Sequence, residues 1–223
     1  MTDSQPFPNV STALTFAGPA GALEAAVELP DTAPRAGVAI VCHPHPLQGG
    51  TMHNKVVTMV ARSLVELGIA TVRFNFRGVG ASAGEYDEGR GETDDVLALG
   101  QWVRRERPDD ALWLAGFSFG SYVALRAAKR LGVSQLIQVA PPVGRWAFDD
   151  LEPPDCPWLV VQGEADEIVD PNAVYAWIAE LAKPPSLVRM PDTSHFFHRR
   201  LMDLRGAVKN GVRDNLPPLK ASA

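Results

Sequence analysis

Gly116-Phe117-Ser118-Phe119-Gly120 follows the apolar run Ala111-Leu112-Trp113-Leu114-Ala115 and leads into Phe119–Leu131, a segment of helix formers stopped by Gly132. A serine between two glycines, at the junction of a buried strand and a helix, predicts a sharp turn that lifts the hydroxyl above a sheet. The glycines let strand and helix approach closely around that turn. A serine hydroxyl is a weak nucleophile by itself, so this reading requires a base and an acid elsewhere in the chain. Asp166 follows the apolar run Trp158-Leu159-Val160-Val161. His195 lies in Asp192-Thr193-Ser194-His195-Phe196-Phe197.

Outward from the turn, short apolar runs alternate with helical spacing. Strands are expected at Leu14–Ala17 and Leu23–Leu29, a hairpin broken by Gly18-Pro19-Ala20-Gly21, and at Gly37–Cys42 and Ala70–Phe74. Further strands are expected at Leu112–Phe117, Leu136–Ala140, Pro157–Gln162 and Leu187–Met190. Helices are expected over Asn54–Leu67, Glu92–Arg107, Phe119–Leu131, Asn172–Leu181 and Phe197–Val212. Such alternation predicts an α/β fold: a mostly parallel sheet of roughly eight strands with helices on both faces. A single domain over residues 11–214 is expected, with residues 1–10 and 215–223 as flexible tails. About sixteen residues separate the Ala140 and Pro157 strand positions, too few for a large helical lid.

The bulk composition removes several function classes. A net charge of −5 argues against a nucleic-acid footprint or an anionic-membrane surface. No apolar span reaches membrane length, and Met1–Val10 has neither the basic start nor the apolar core of a secretory signal. The two cysteines, Cys42 and Cys156, stand far apart and read as thiols rather than a framework. A cytoplasmic location is the expectation.

In an open parallel sheet the ligand site lies beyond the C-terminal strand ends. Ser118, Asp166, His195 and the loop from His43 all fall there. Ser118 reads as nucleophile, Asp166 as acid and His195 as base. Asp170, before Pro171, competes with Asp166 but resembles a helix N-cap; Glu164 is a third carboxylate nearby, and His198 competes with His195. Two backbone N–H donors are needed for a developing oxyanion. Phe119 at the helix start is one. His45 is the other, because Pro44 and Pro46 have no N–H; Leu47 is the fallback. His43 and His45 lack the further ligands of a zinc pattern, so His43 is expected to be structural and no metal is expected. Gly78-Val79-Gly80-Ala81-Ser82-Ala83-Gly84 misses dinucleotide-loop spacing and reads as a tight turn, with Arg77 as a structural hydrogen-bonding arginine; no cofactor is expected. Leu47, Phe117, Trp146, Phe148 and Phe196 are expected to form an apolar substrate pocket.

Together these residues resemble the α/β-hydrolase superfamily, and most closely its small bacterial predicted hydrolases. The resemblance runs from about Leu14 to Val208. It rests on His43-Pro44-His45-Pro46-Leu47-Gln48-Gly49-Gly50-Thr51-Met52, Arg73-Phe74-Asn75-Phe76-Arg77-Gly78-Val79-Gly80, the Ser118 turn, Gly163-Glu164-Ala165-Asp166 and His195-Phe196-Phe197. Pro44 replaces the glycine of the superfamily's His-Gly pair. The resemblance implies a lidless fold without an obligatory cofactor. It implies a Ser-His-Asp triad that cleaves a small or medium carboxylic ester through an acyl-enzyme. Thioesterase, amidase or peptidase, and acyltransferase chemistry would use the same groups, and a non-catalytic binding or scaffold protein on this fold is the rival class. The expected partner is a small acyl substrate, with neither nucleic acid nor membrane; a homodimer is compatible with this reading.

Overall fold

In the computed structural model, which describes residues 5–148 and 150–220, one eight-stranded sheet organises the chain. The strands are β1 (Thr12–Gly18), β2 (Gly21–Glu28), β3 (Gly37–Cys42), β4 (Ala70–Phe74), β5 (Ala111–Phe117), β6 (Gln135–Val139), β7 (Trp158–Gly163) and β8 (Ser186–Met190). Their order is β1-β2-β4-β3-β5-β6-β7-β8. β1 and β2 form an antiparallel hairpin, and β2 pairs antiparallel with β4. All other pairings are parallel.

Strand periodicity explains both layers. In β3, Val38, Ile40 and Cys42 face one core while Ala39 and Val41 face the other. In β5, Leu112 and Leu114 oppose Trp113, Ala115 and Phe117 in the same way. These central strands are buried on both faces, which is why they read as unbroken apolar runs. Helices α2 (Arg90–Glu106), α3 (Phe119–Leu131) and α4 (Pro171–Glu180) cover the first core. Helices α1 (Lys55–Val65) and α5 (Leu201–Gly211) pack together over the second. Among the described residues, no helix is long and apolar enough to cross a membrane.

After β3 the chain moves to β4 on one side, then returns to place β5 on the other. The crevice of this sheet therefore opens between the C-terminal ends of β3 and β5. Cys42 pairs with Gly116 there, so the His43 loop and the Ser118 turn leave the sheet side by side.

Two expectations need correction. The last helix begins at Leu201, not Phe197. Phe197 (φ 52°) and Arg199 (φ 61°) adopt left-handed backbone, which cannot propagate a right-handed helix. The described parts of the expected tails are also held. Phe7 stacks on Trp102 at 5.1 Å beneath the Arg107 guanidinium, and the Gln5 carbonyl accepts from Trp102 Nε1. At the other end, Ala36 N donates to the Pro218 carbonyl, Lys220 N donates to Pro34, and the Lys220 ammonium pairs with Asp110. Polar stretches read as tails when their partners are remote in sequence. Residues 1–4 and 221–223 lie outside the described residues.

Phe7→Ala removes a half-buried ring and an aromatic stack. We expect it to lower stability by about 1–2 kcal/mol, read as a lower urea midpoint with an unchanged slope.

Candidate active site

Ser118 sits between β5 and α3 with φ 51° and ψ −123°, a conformation L-residues rarely adopt. Such backbone costs about 1–3 kcal/mol unless its surroundings enforce it. Here they do. Ser118 N donates to the Val139 carbonyl of β6, while the Ser118 carbonyl accepts from both Ser121 N and Ser121 Oγ. The flanking glycines are dictated by contact. A Cβ on Gly116 would lie 2.2 Å from the Gly120 carbonyl oxygen. A Cβ on Gly120 would lie 2.4 Å from that of His43.

His195 meets this serine from the loop after β8, and Asp166 from the loop after β7. His195 Nε2 lies 3.1 Å from Ser118 Oγ, and its Nδ1 lies 2.8 Å from Asp166 Oδ2. The second carboxylate oxygen accepts from the Ile168 and Val169 N–H groups at 2.9 and 2.8 Å, and Gln162 Nε2 donates to Oδ2. Burial by itself would raise the Asp166 pKa. The bonds from His195, Val169 and Ile168 outweigh it, so the carboxyl is held below its ordinary value and stays ionised at neutral pH. An ionised Asp166 fixes the proton on His195 Nδ1, leaving Nε2 to accept from the serine. The His195 backbone N–H is itself held by Glu167 at 3.1 Å.

The competing residues are used elsewhere. Asp170 caps α4 by accepting from Asn172 N, Glu164 is exposed, and His198 is exposed on the turn before α5. His43 is buried, with Nδ1 donating to the Pro44 carbonyl and Nε2 accepting from Phe76 N. Both of its ring nitrogens are thereby occupied within the protein. Arg77 makes a bidentate pair with buried Asp95.

The Phe119 and His45 backbone N–H groups donate to no acceptor among the described residues. Phe119 opens α3, where N–H groups have no intrahelical acceptor. The Leu47 N–H is engaged, donating to His45 Nδ1 at 3.2 Å. That bond places the His45 ring proton on Nε2, which reaches the Tyr86 hydroxyl at 3.2 Å. Tyr86 was not legible as a site residue, because its partner is 41 positions away.

A cavity of about 330 Å³ opens over Ser118, lined by His45, Gln48, Phe119, Pro142, Trp146 and Val169 among others. A larger hollow of about 780 Å³ between β1 and α2 is lined by neither Ser118, Asp166, His195 nor the His43–Leu47 loop. Of the expected pocket residues, Trp146 lines the Ser118 cavity and four do not. Phe117 points into the second core, its ring 5.1 Å from the His195 ring. Phe148 is buried between Tyr122 and Trp177. Leu47 is 72% exposed, and Phe196 lines a neighbouring cavity. Strand alternation decides the first of these and packing on α3 and α4 the second. The walls the sequence reading missed are Gln48, Pro142, Arg145, Ile168 and Val169, which ordinary loop composition conceals.

A parallel sheet whose switch point carries a strained serine turn, with a histidine and a carboxylate in line behind it, defines the α/β-hydrolase class. The chain belongs to that family: the model described as an alpha/beta hydrolase domain matches residues 40–210. It is similar to XC6422 of Xanthomonas campestris, described as an α/β serine hydrolase without lid. The two are 61% identical, with TM-score 0.94, over 97% of this chain and 100% of that one. An α/β serine hydrolase homologue from Coxiella burnetii is 45% identical, with TM-score 0.89, over 92% of this chain and 99% of its own. An uncharacterised protein of Rickettsia prowazekii, RP471, is 33% identical over 87% of this chain and 86% of its own length.

Burial pushes the His43 pKa down to about 4, partly opposed by its bond to Pro44. Between pH 6.5 and 4 the unfolded chain therefore takes up a proton that the folded chain refuses. Stability is full above pH 6.5 and falls by up to ~3 kcal/mol as pH drops to 4. Urea titrations at pH 7 and pH 5 should show a smaller acid loss in His43→Gln than in the wild type.

Proposed function

We propose that this protein is a serine hydrolase that cleaves a small or medium carboxylic ester through an acyl-enzyme. The observation that carries the reading is the continuous Ser118–His195–Asp166 hydrogen-bond line at 3.1 and 2.8 Å. Ser118 Oγ attacks the acyl carbon as its proton passes to His195 Nε2. The negative charge that develops on the acyl oxygen is met by the N–H groups of Phe119 and His45, which have no competing acceptor among the described residues. Collapse of that intermediate breaks the bond to the alcohol, which takes the proton from His195. Water then repeats the sequence on the acyl-enzyme and releases the acid. Asp166 remains ionised throughout; it fixes the tautomer of His195 and stabilises the imidazolium.

The scale of the Ser118 cavity supports the substrate size. About 330 Å³ lies at the low end for ligand sites, enough for a short acyl group against Phe119, Trp146, Ile168 and Val169. The segment 141–157 contains no helix and no named strand among its described residues, which leaves the approach to Ser118 open.

Intact-mass labelling with a fluorophosphonate is the direct test. The wild type should gain one adduct and Ser118→Ala none. With p-nitrophenyl esters, Asp166→Asn should lose about 10³–10⁴-fold in kcat while remaining folded. Well-folded wild type that neither labels nor hydrolyses any ester of the series would sink the reading.

A further inference from the structure

A further cavity, of about 400 Å³, is joined to the site through Phe196, the residue that follows His195. One wall comes from the loop that follows His45 and from the start of α1, contributing Thr51, His53 and Lys55. The other comes from the turn that follows His195, contributing Phe196, His198 and Arg199. Phe196 joins the two features: it lines the cavity while its ring meets the His195 ring edge-on at 5.1 Å. The turn is anchored, because Phe197 is fully buried and its N–H donates to Ser194.

The charge of this cavity runs against that of the chain. The protein carries −5 overall, yet the lining holds Lys55, Arg199 and two imidazoles and no carboxylate. Nearby cations are neutralised: Arg200 pairs with Asp203, and Arg205 and Lys209 share Glu66. Lys55, His198 and Arg199, by contrast, make no ion pair and no side-chain hydrogen bond among the described residues. Glu24 interacts electrostatically with His53, but its carboxylate is bound by Asn75 and the Ala81 N–H and does not line the cavity. Solitary surface cations need no explanation. Two permanent cations and two imidazoles sharing one concavity beside the proton donor of the reaction do.

The chemistry says which half of a substrate would meet them. His195 must hand its proton to the departing oxygen, so the leaving group sits on the histidine side while the acyl group occupies the Ser118 cavity. Resting on the serine-hydrolase reading, we propose that this cavity is a leaving-group subsite for an anion. The substrate class is then an ester whose alcohol half bears a carboxylate or phosphate, held by Lys55 and Arg199 with Phe196 against its carbon skeleton.

Two butanoate esters with the same nitrophenol chromophore test this: 4-nitro-3-(butanoyloxy)benzoate, with an anionic leaving group, and neutral 2-nitrophenyl butanoate. The readout is the ratio of their kcat/KM values, charged over neutral, in wild type and in Lys55→Gln/Arg199→Gln. The double variant should lower that ratio about fivefold to tenfold, mainly through KM, and leave the neutral ester within twofold. Added salt (0.5 M NaCl) should lower the wild-type ratio towards that of the variant. An equal ratio in the two proteins would overturn the proposal. If wild type turns over neither ester and takes no fluorophosphonate label, the hydrolase reading itself fails. The cavity is then judged by titrating glycerol phosphate into Ser118→Ala protein with and without the two Gln substitutions. Saturable binding lost in the substituted protein supports an anion site, and absence of binding overturns it.

Discussion

The backbone of a single residue constrains this molecule most tightly. At Ser118 the chain turns from strand to helix with no loop between, at the cost of a left-handed φ on a residue with a side chain. That turn survives only because its neighbours leave it no alternative. β6 takes its N–H, Ser121 takes its carbonyl twice, and the missing Cβ atoms at Gly116 and Gly120 let strand, helix and the His43 carbonyl close on one another. Position 120 would push into the carbonyls of Cys42 and His43, so the end of β3 is fixed by the same packing that fixes the serine. The donors proposed for the oxyanion, one from each strand end, are thus located by a common constraint.

Electrostatics then sets protonation states without a metal or a cofactor having to be invoked. Asp166 is buried, which opposes ionisation, but four donor residues converge on it, and the bonds from His195, Val169 and Ile168 reverse the balance. His43, buried still more deeply, has no carboxylate; its two nitrogens meet one carbonyl and one N–H, and it stays neutral at neutral pH. Two buried histidines, one on the loop after β3 and one on the loop after β8, therefore sit in different surroundings. His195 has a carboxylate behind it. His43 has none, and serves as a brace between the β3 and β4 loops.

Much of this was legible in the sequence because the informative signals are local. Strands β3 and β5 are apolar runs because they are buried on both faces, and a glycine pair around one serine announces a turn with few other uses. Asp166 and His195 could be found because each closely follows a strand. What escaped was whatever depends on distant partners. Tyr86 reaches His45 across 41 positions, Phe7 reaches Trp102 across half the chain, and Pro142, Ile168 and Val169 become cavity walls only once the loops are folded. Apolar character misled where direction mattered. Phe117 and Phe148 are as hydrophobic as a pocket wall, but alternation and packing turn both into core. The start of the last helix escaped for a related reason: Phe197 and Arg199 carry no glycine to advertise a left-handed turn.

The absence of a loop at the Ser118 turn also divides the chain into parts with unequal freedom to evolve. An insertion between Phe117 and Phe119 would have to dismantle contacts with β3, β6 and α3 at once. The connection from β6 to β7 has no such obligation. Away from buried Phe148 it can lengthen, shorten or exchange residues such as Trp146 while the strands beneath keep their register. Ser118 is held on the part that cannot drift, and the cavity walls Pro142 and Trp146 are carried on the part that can. A lineage built this way can change what it recognises many times over while its chemistry stays put.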